Sequence, residues 1–97
     1  GDVENVYRVQ LVNRGGEAAR FTVAASGLPG LTVDGPAALP LAAGESGQLA
    51  LRLRLPAGAR GGLSGGPSHP VQVRVTREDD AGTRDEVTVK AVFVVPR

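Results

Sequence analysis

Apolar and polar residues alternate along most of this chain. Tyr7, Val9 and Leu11 are separated by Arg8 and Gln10, and Phe21, Val23 and Ala25 by Thr22 and Ala24. The longest run sets Leu49, Leu51, Leu53 and Leu55 against Gln48, Ala50, Arg52 and Arg54. Val71, Val73 and Val75 alternate with Gln72, Arg74 and Thr76, and Val87, Val89, Ala91 and Phe93 with Thr88, Lys90 and Val92. A period of two places every second side chain on one face of a strand. Leucine favours helices, but at about 100° per residue positions 49, 51, 53 and 55 would scatter around a helix, so the spacing predicts a strand. Each of the five strands is predicted to bury one face and wet the other.

Turn residues punctuate these strands. Asn13-Arg14-Gly15-Gly16 tolerates positive φ and predicts a hairpin between the first two strands. Leu28-Pro29-Gly30-Leu31 fits a type II turn, with proline presetting φ at the second position and glycine accepting positive φ at the third. Ala43-Gly44-Glu45 opens the leucine strand, and Asp79-Asp80-Ala81-Gly82 predicts a hairpin between the last two strands. The short pieces Leu31 to Val33 and Leu39 to Leu41 read as edge strands or sheet-switching segments. Pro56 to Pro70, rich in glycine and proline, reads as a flexible loop. No helical stretch of useful length interrupts the strands. The pattern predicts an all-β fold: one immunoglobulin-like antiparallel β-sandwich of about seven strands spanning residues 1–97.

Composition narrows the chemistry. The apolar supply is Val, Leu and Ala, with three aromatics (Tyr7, Phe21, Phe93) and no Trp or Met, which predicts a thin aliphatic core. With no cysteine, disulfides, thiol catalysis and thiolate metal sites are excluded from these residues. The missing Cys pair and Trp also set the chain apart from antibody-type domains. A net charge of +1 gives no strong field for nucleic acid. No apolar run approaches the ~18 residues that cross a bilayer, and no signal peptide is visible. A start at Gly1-Asp2 without Met suggests a piece of a longer protein.

The run Asp2-Val3-Glu4-Asn5-Val6-Tyr7-Arg8-Val9-Gln10-Leu11-Val12-Asn13 resembles the opening of the C-terminal domain of FixG-type (CcoG) cytochrome c oxidase accessory proteins. The shared pattern is Asn5, Tyr7, Val9, Leu11 and Asn13. It continues at Phe21-Thr22-Val23, Gly27-Leu28-Pro29-Gly30, Pro56, His69-Pro70-Val71, Phe93 and Pro96. The resemblance implies a domain on the periplasmic side of the bacterial inner membrane, part of a polytopic parent that binds iron–sulfur clusters through cysteines. It implies a role in assembly of cbb3-type oxidase, through copper handling. Those cysteines are not in this chain, so the clusters are expected elsewhere in the parent and no cofactor is expected within these residues. In family members an extra strand often precedes the Asn-x-Tyr segment, so the first strand is expected to be shortened, leaving a sheet edge open to strand pairing or self-association.

Candidate sites are few. His69, the single histidine, is a weak candidate copper ligand, because a metal site needs several convergent donors; a strand-entry histidine is the plainer reading. Glu78, Asp79, Asp80, Asp85 and Glu86 could bind a cation through oxygen, but match no calcium loop and sit where charge is normally solvated. Arg8, Arg52 and Arg54 are predicted to form a basic stripe on an outer face, either solvated or docking anionic groups. Val92, Val94 and Val95 put apolar groups on both faces of the last strand, predicted either to be covered by the nearby loop or to form an interaction surface. Ser26, Ser46, Ser64 and Ser68 lack a nucleophile-elbow setting, and the glycine-rich stretch Gly58 to Gly66 lacks a following Lys-Ser/Thr and helix. No catalytic residue is assigned. The expectation is a non-catalytic interaction or scaffolding domain whose partners are proteins, namely the parent's membrane region or oxidase-assembly and copper-delivery proteins. The alternative is a secreted or cell-surface β-sandwich module for adhesion or binding. The chain is not expected to be an enzyme or to bind nucleic acid.

Overall fold

Seven strands run in the order β1 (Val3–Val12), β2 (Ala19–Ser26), β3 (Thr32–Asp34), β4 (Ala38–Leu41), β5 (Ser46–Leu55), β6 (Ser68–Asp79) and β7 (Arg84–Val94) in a computed structural model that describes residues 1–63 and 66–96. A 3-10 turn, Ala57–Gly62, lies between β5 and β6. One sheet has three strands in the order β1-β5-β3, and the other has four in the order β4-β2-β6-β7. All pairings are antiparallel. The result is a narrow prism of 46 × 17 × 17 Å. Its radius of gyration, 15.1 Å, exceeds the roughly 12–13 Å of a compact domain this size. The strands set this shape: β6 alone is twelve residues long, or roughly 40 Å at strand rise.

In β5 the alternation does in space what the pattern predicts. Leu49 is 6% exposed and Leu51, Leu53 and Leu55 are fully buried, while Gln48, Ala50 and Arg52 face out. Val71, Val73 and Phe93 meet them from the four-stranded sheet. A smaller cluster of Leu11, Ala19, Phe21 and Leu41 closes the far end of the sandwich. Val9 and Val75 touch both clusters and remain half-buried.

The turns follow the expected chemistry in two places. Gly30 adopts φ +81° and the Leu31 amide donates to the Leu28 carbonyl at 3.2 Å, closing the predicted turn. Gly82 adopts φ +87° in the β6–β7 hairpin. There the Asp79 carboxylate accepts from the amides of Ala81 and Thr83, at 3.0 and 2.8 Å.

The predicted first hairpin does not form. β1 pairs along all ten residues with β5, and β2 lies in the other sheet between β4 and β6. Asn13–Gly16 is therefore a crossover between sheets, and neither Gly15 nor Gly16 has positive φ. Turn-prone residues report a chain reversal, but not whether the next strand pairs alongside or crosses the core. β1 pairs with β5 along all its ten residues, and among the described residues no strand lies on its other side. The short pieces are edge strands on opposite sheets, β3 beside β5 and β4 beside β2. The loop after β5 is shorter than predicted, because Ser68, His69 and Pro70 already belong to β6. Proline is tolerated there because β2 ends at Ser26, opposite Gln72, so Pro70 has a ladder on one side only. Ser64 lies outside the described residues.

Candidate functional site

The most specific side-chain geometry lies along the seam where β1 passes β7. Asn5, Tyr7, Val9 and Leu11 are the inward row of β1. The Asn5 carboxamide donates from Nδ2 to the Val94 carbonyl at 3.0 Å and accepts at Oδ1 from the Val94 amide at 2.9 Å. One side-chain amide thus meets both backbone groups of Val94, as a neighbouring strand would. Two residues on, the Tyr7 hydroxyl donates to the Val92 carbonyl at 2.8 Å. Partial burial pushes the Tyr7 phenol above its ordinary value of 10.0, since the charged form loses more solvation. Asn5 and Tyr7 together cap the free edge of β7 and hold the two sheets shut at this end.

Beyond Tyr7 the seam opens into a groove of about 490 Å³. Tyr7, Val9 and Leu11 form one wall, Val87, Val89 and Ala91 the other, and Leu51 and Val73 the floor. Val87 is 59% exposed and Val89 49%, although both share the inward phase of the buried Phe93. The cause is the unequal width of the sheets, because three strands facing four leave part of the β7 inner face without an opposing strand.

Loss of the seam bonds has a predictable cost. Asn5→Ala removes both bonds to Val94 at an exposed site where water can replace them, and is expected to lower stability by about 0.5–1.5 kcal/mol. Hydrogen exchange at the Val94 amide, read beside a urea melt, checks this. Because the folded pKa of Tyr7 is raised, the Tyr7 bond contributes fully below pH 10 and is lost as pH rises through the raised value.

The other end of β1 is anchored by Asn13, which is fully buried. Its Nδ2 donates to the carbonyls of Glu17, Leu41 and Ala42 at 2.8, 3.1 and 3.2 Å. Its Oδ1 accepts from the Gly15 amide at 3.2 Å and from Arg77 Nε and Nη2 at 3.3 and 3.1 Å. Arg77 also faces Asp79 at 3.7 Å and Asp85 at 3.5 Å. A Cβ at Gly15 would meet the Arg77 guanidinium, which would have to shift on Asn13 to make room.

The residues predicted as sites are scattered. Arg8 is exposed, sits on the lip of the groove and has no ion pair among the described residues. Arg52 faces Glu4 at 3.8 Å, and Arg54 pairs with Asp2 at 2.9 Å. The outer face of β1 and β5 is thus a mixed ionic surface, in place of the predicted basic stripe. The Asp2 carboxylate is held below its ordinary range first by the Ala57 amide, which it accepts at 3.1 Å, and then by Arg54. Val92 and Val94 do project outward, 53% and 45% exposed, but Val95 is 8% exposed and belongs to the core. The main-chain bend after β7 carries Val95 inward, its amide donating to the Pro67 carbonyl at 2.7 Å. His69 is 8% exposed, pairs in register with Phe93, and stands at the strand entry. No group of three or more His, Cys, Asp or Glu among the described residues is placed to hold a metal ion. Within the acidic cluster, Asp79 closes the hairpin, Asp85 faces Arg77, and Glu86 faces Arg74 at 3.9 Å.

Asn5, Tyr7 and Asn13 enter the sequence reading only as matched positions of a pattern, and the structure supplies their work: sealing the seam and tying β1 to the β4 end. The fold is shared with known proteins. The family described as "IG-like fold at C-terminal of FixG, putative oxidoreductase" matches residues 1–96. This chain belongs to that family. The FixG C-terminal domain also has the fold of a FixG-related protein from Vibrio parahaemolyticus solved by crystallography. That structure matches with a TM-score of 0.72 and 17% identity, over 96% of this chain and 79% of the other. No curated protein matches the chain. At that identity the crystal structure establishes the fold of the FixG C-terminal domain and not its activity. Arg77, Val87 and Val89 were not singled out in the sequence as site residues. For Arg77, the signal available is an arginine that continues the inward phase of Val71, Val73 and Val75; for Val87 and Val89 there is none, since their phase is that of core residues.

Proposed function

We propose that this domain is a non-catalytic interaction module on the periplasmic side of a membrane-anchored parent that takes part in assembly of cbb3-type cytochrome oxidase and in its copper handling. The domain carries no cofactor of its own; the iron–sulfur clusters belong to other parts of the parent. Membership of the FixG C-terminal family supplies the context. The observation that carries the interaction reading is the apolar groove between β1 and β7, adjoining a sheet face on which Val92 and Val94 are half exposed. Apolar surface left uncovered beside a strand edge is characteristic of protein contact sites.

The test is site-specific photocrosslinking in the full-length parent within its own membrane. A benzophenone side chain at Val89 or Val94 is expected to capture the parent's membrane region or an oxidase-assembly protein, while one at Ala81, on the exposed hairpin, is not. Equal background at all three positions would overturn the interaction reading. A cysteine at Gly16 should react with a membrane-impermeant maleimide in cells whose inner membrane is intact; reaction only after that membrane is breached would place the domain on the wrong side.

A further inference from the structure

The four sheet edges differ in how they are protected. β3 has three residues and is followed by Gly35-Pro36, and β4 contains Pro40. The edge of β7 is capped at Val92 and Val94 by Tyr7 and Asn5, and carries Arg84, Asp85, Glu86 and Lys90 over the rest. Such short strands, prolines and charges are the usual defences of an edge. β1 has none of them between Val6 and Val12 apart from Arg8. It runs ten residues in unbroken register with β5, with no proline or bulge, and among the described residues no strand lies on its other side. Its outward row includes Val6, 56% exposed, and Val12, 47% exposed.

The residues of this edge are complementary to themselves. In an antiparallel pair of two β1 strands, inward residues must face inward residues, so the two-fold axis passes through a residue and not between two. An axis at Arg8 sets arginine against arginine. An axis at Leu11 sets Arg8 against Arg14. An axis at Tyr7 puts Val12 against Asp2, and one at Gln10 puts Arg8 against Val12. An axis at Val9 avoids all of these. Val6 then faces Val12 of the second copy, twice by symmetry, and Arg8 faces Gln10. Glu4 faces Arg14, which lies two residues beyond the end of β1. The Asn13 amide, donating to Glu45 at 2.9 Å, carries the β1–β5 ladder past Val12 toward that position. Arg14 has no ion pair among the described residues, and Glu4 has only the exposed contact to Arg52 at 3.8 Å. Cross-strand valine pairs and opposite charges both favour this register.

The geometry points to β1 as a self-recognition edge, through which two copies of this domain pair antiparallel about Val9 to continue the β1-β5-β3 sheet from one copy into the next. This inference rests on the edge alone and is independent of the role of the parent.

Sedimentation equilibrium of this chain is expected to show a monomer–dimer equilibrium. Val6→Lys should weaken dimerisation about tenfold or more, by placing ammonium groups against Val12 at both symmetric positions. Glu4→Arg and Arg14→Glu should each weaken it roughly two- to tenfold, and combining them should restore it. Register is read by crosslinking, since the chain has no cysteine. A mixture of Val6→Cys and Val12→Cys proteins should form a disulfide-linked heterodimer much faster than either protein forms a homodimer, because both positions face outward and only the mixed pair is adjacent. A chain that stays monomeric up to about 1 mM, the weak end of specific association, would overturn the proposal. So would crosslinking without preference for the mixed pair, or its loss when the same cysteines are placed in the full-length parent, which would mean that another segment holds the edge.

Discussion

Replacing Asn13 by Ala is expected to destabilise this domain by about 3–5 kcal/mol, a large share of the ~5–15 kcal/mol that holds a small domain together. The reason is the number of buried groups that one carboxamide serves. Three carbonyls, one backbone amide and the Arg77 guanidinium all turn toward it. Truncation leaves partners that had exchanged water for Asn13 with neither, and each such group costs about 1–3 kcal/mol when it cannot be rehydrated. The smaller end of that range applies at Gly15 and Glu17, which lie nearer solvent. Asn13→Asp separates the two halves of the network. It keeps an acceptor for Gly15 and Arg77, but it removes the donor to Leu41, Ala42 and Glu17 and sets a carboxylate against their carbonyls, so it should also destabilise strongly. Urea melts monitored by far-ultraviolet dichroism measure both. A cost below about 1 kcal/mol for Asn13→Ala would mean that water replaces the side chain freely and that the crossover is held by packing.

The second large effect is a contrast between two leucine or valine truncations that look alike in the sequence. Leu53→Ala is expected to cost about 2–5 kcal/mol, because Leu53 is fully buried among Val71, Val73 and Phe93 and leaves a cavity in a core with no flexible methionine to fill it. For a domain of this length each kcal/mol lowers Tm by about 4–8 °C, so the midpoint should fall by about 8 °C or more. Val87→Ala, at the same alternating phase in β7, is expected to cost less than about 0.5 kcal/mol, because Val87 is already 59% exposed. Calorimetric melts of the two variants decide the matter. Equal losses would mean that something covers Val87 in solution.

How legible the molecule is from its residues can be argued from the same positions. The leucine run of β5 declares its buried face without ambiguity, because strand phase is a local property and every second residue agrees. The Gly30 and Gly82 turns are equally local: a left-handed φ is affordable mainly for glycine, so the residue marks the bend. The partner of each strand is another matter. Asn13-Arg14-Gly15-Gly16 announces a bend and fits a hairpin, yet the chain there leaves one sheet for the other. Val95 breaks alternation and so looks like surface, whereas the bend after Val94 returns it to the core. Arg52 and Arg54 read as a free basic stripe because their neutralising partners, Glu4 and Asp2, are about fifty residues away and come alongside only through the β1–β5 register.

From its sequence alone, then, this protein is an all-β sandwich of one domain, with named strands, named inward faces and a recognisable Asn5-Tyr7-Asn13 pattern. Those features depend on a residue and its near neighbours, through the strand period and backbone sterics. Only the tertiary structure decides that β1 belongs with β5, that Asn5 and Tyr7 bind the backbone of β7, and that three strands face four. Exposure at Val87 and Val89 follows from that mismatch, because burial depends on whether another sheet stands opposite, and no residue carries that information in its own side chain.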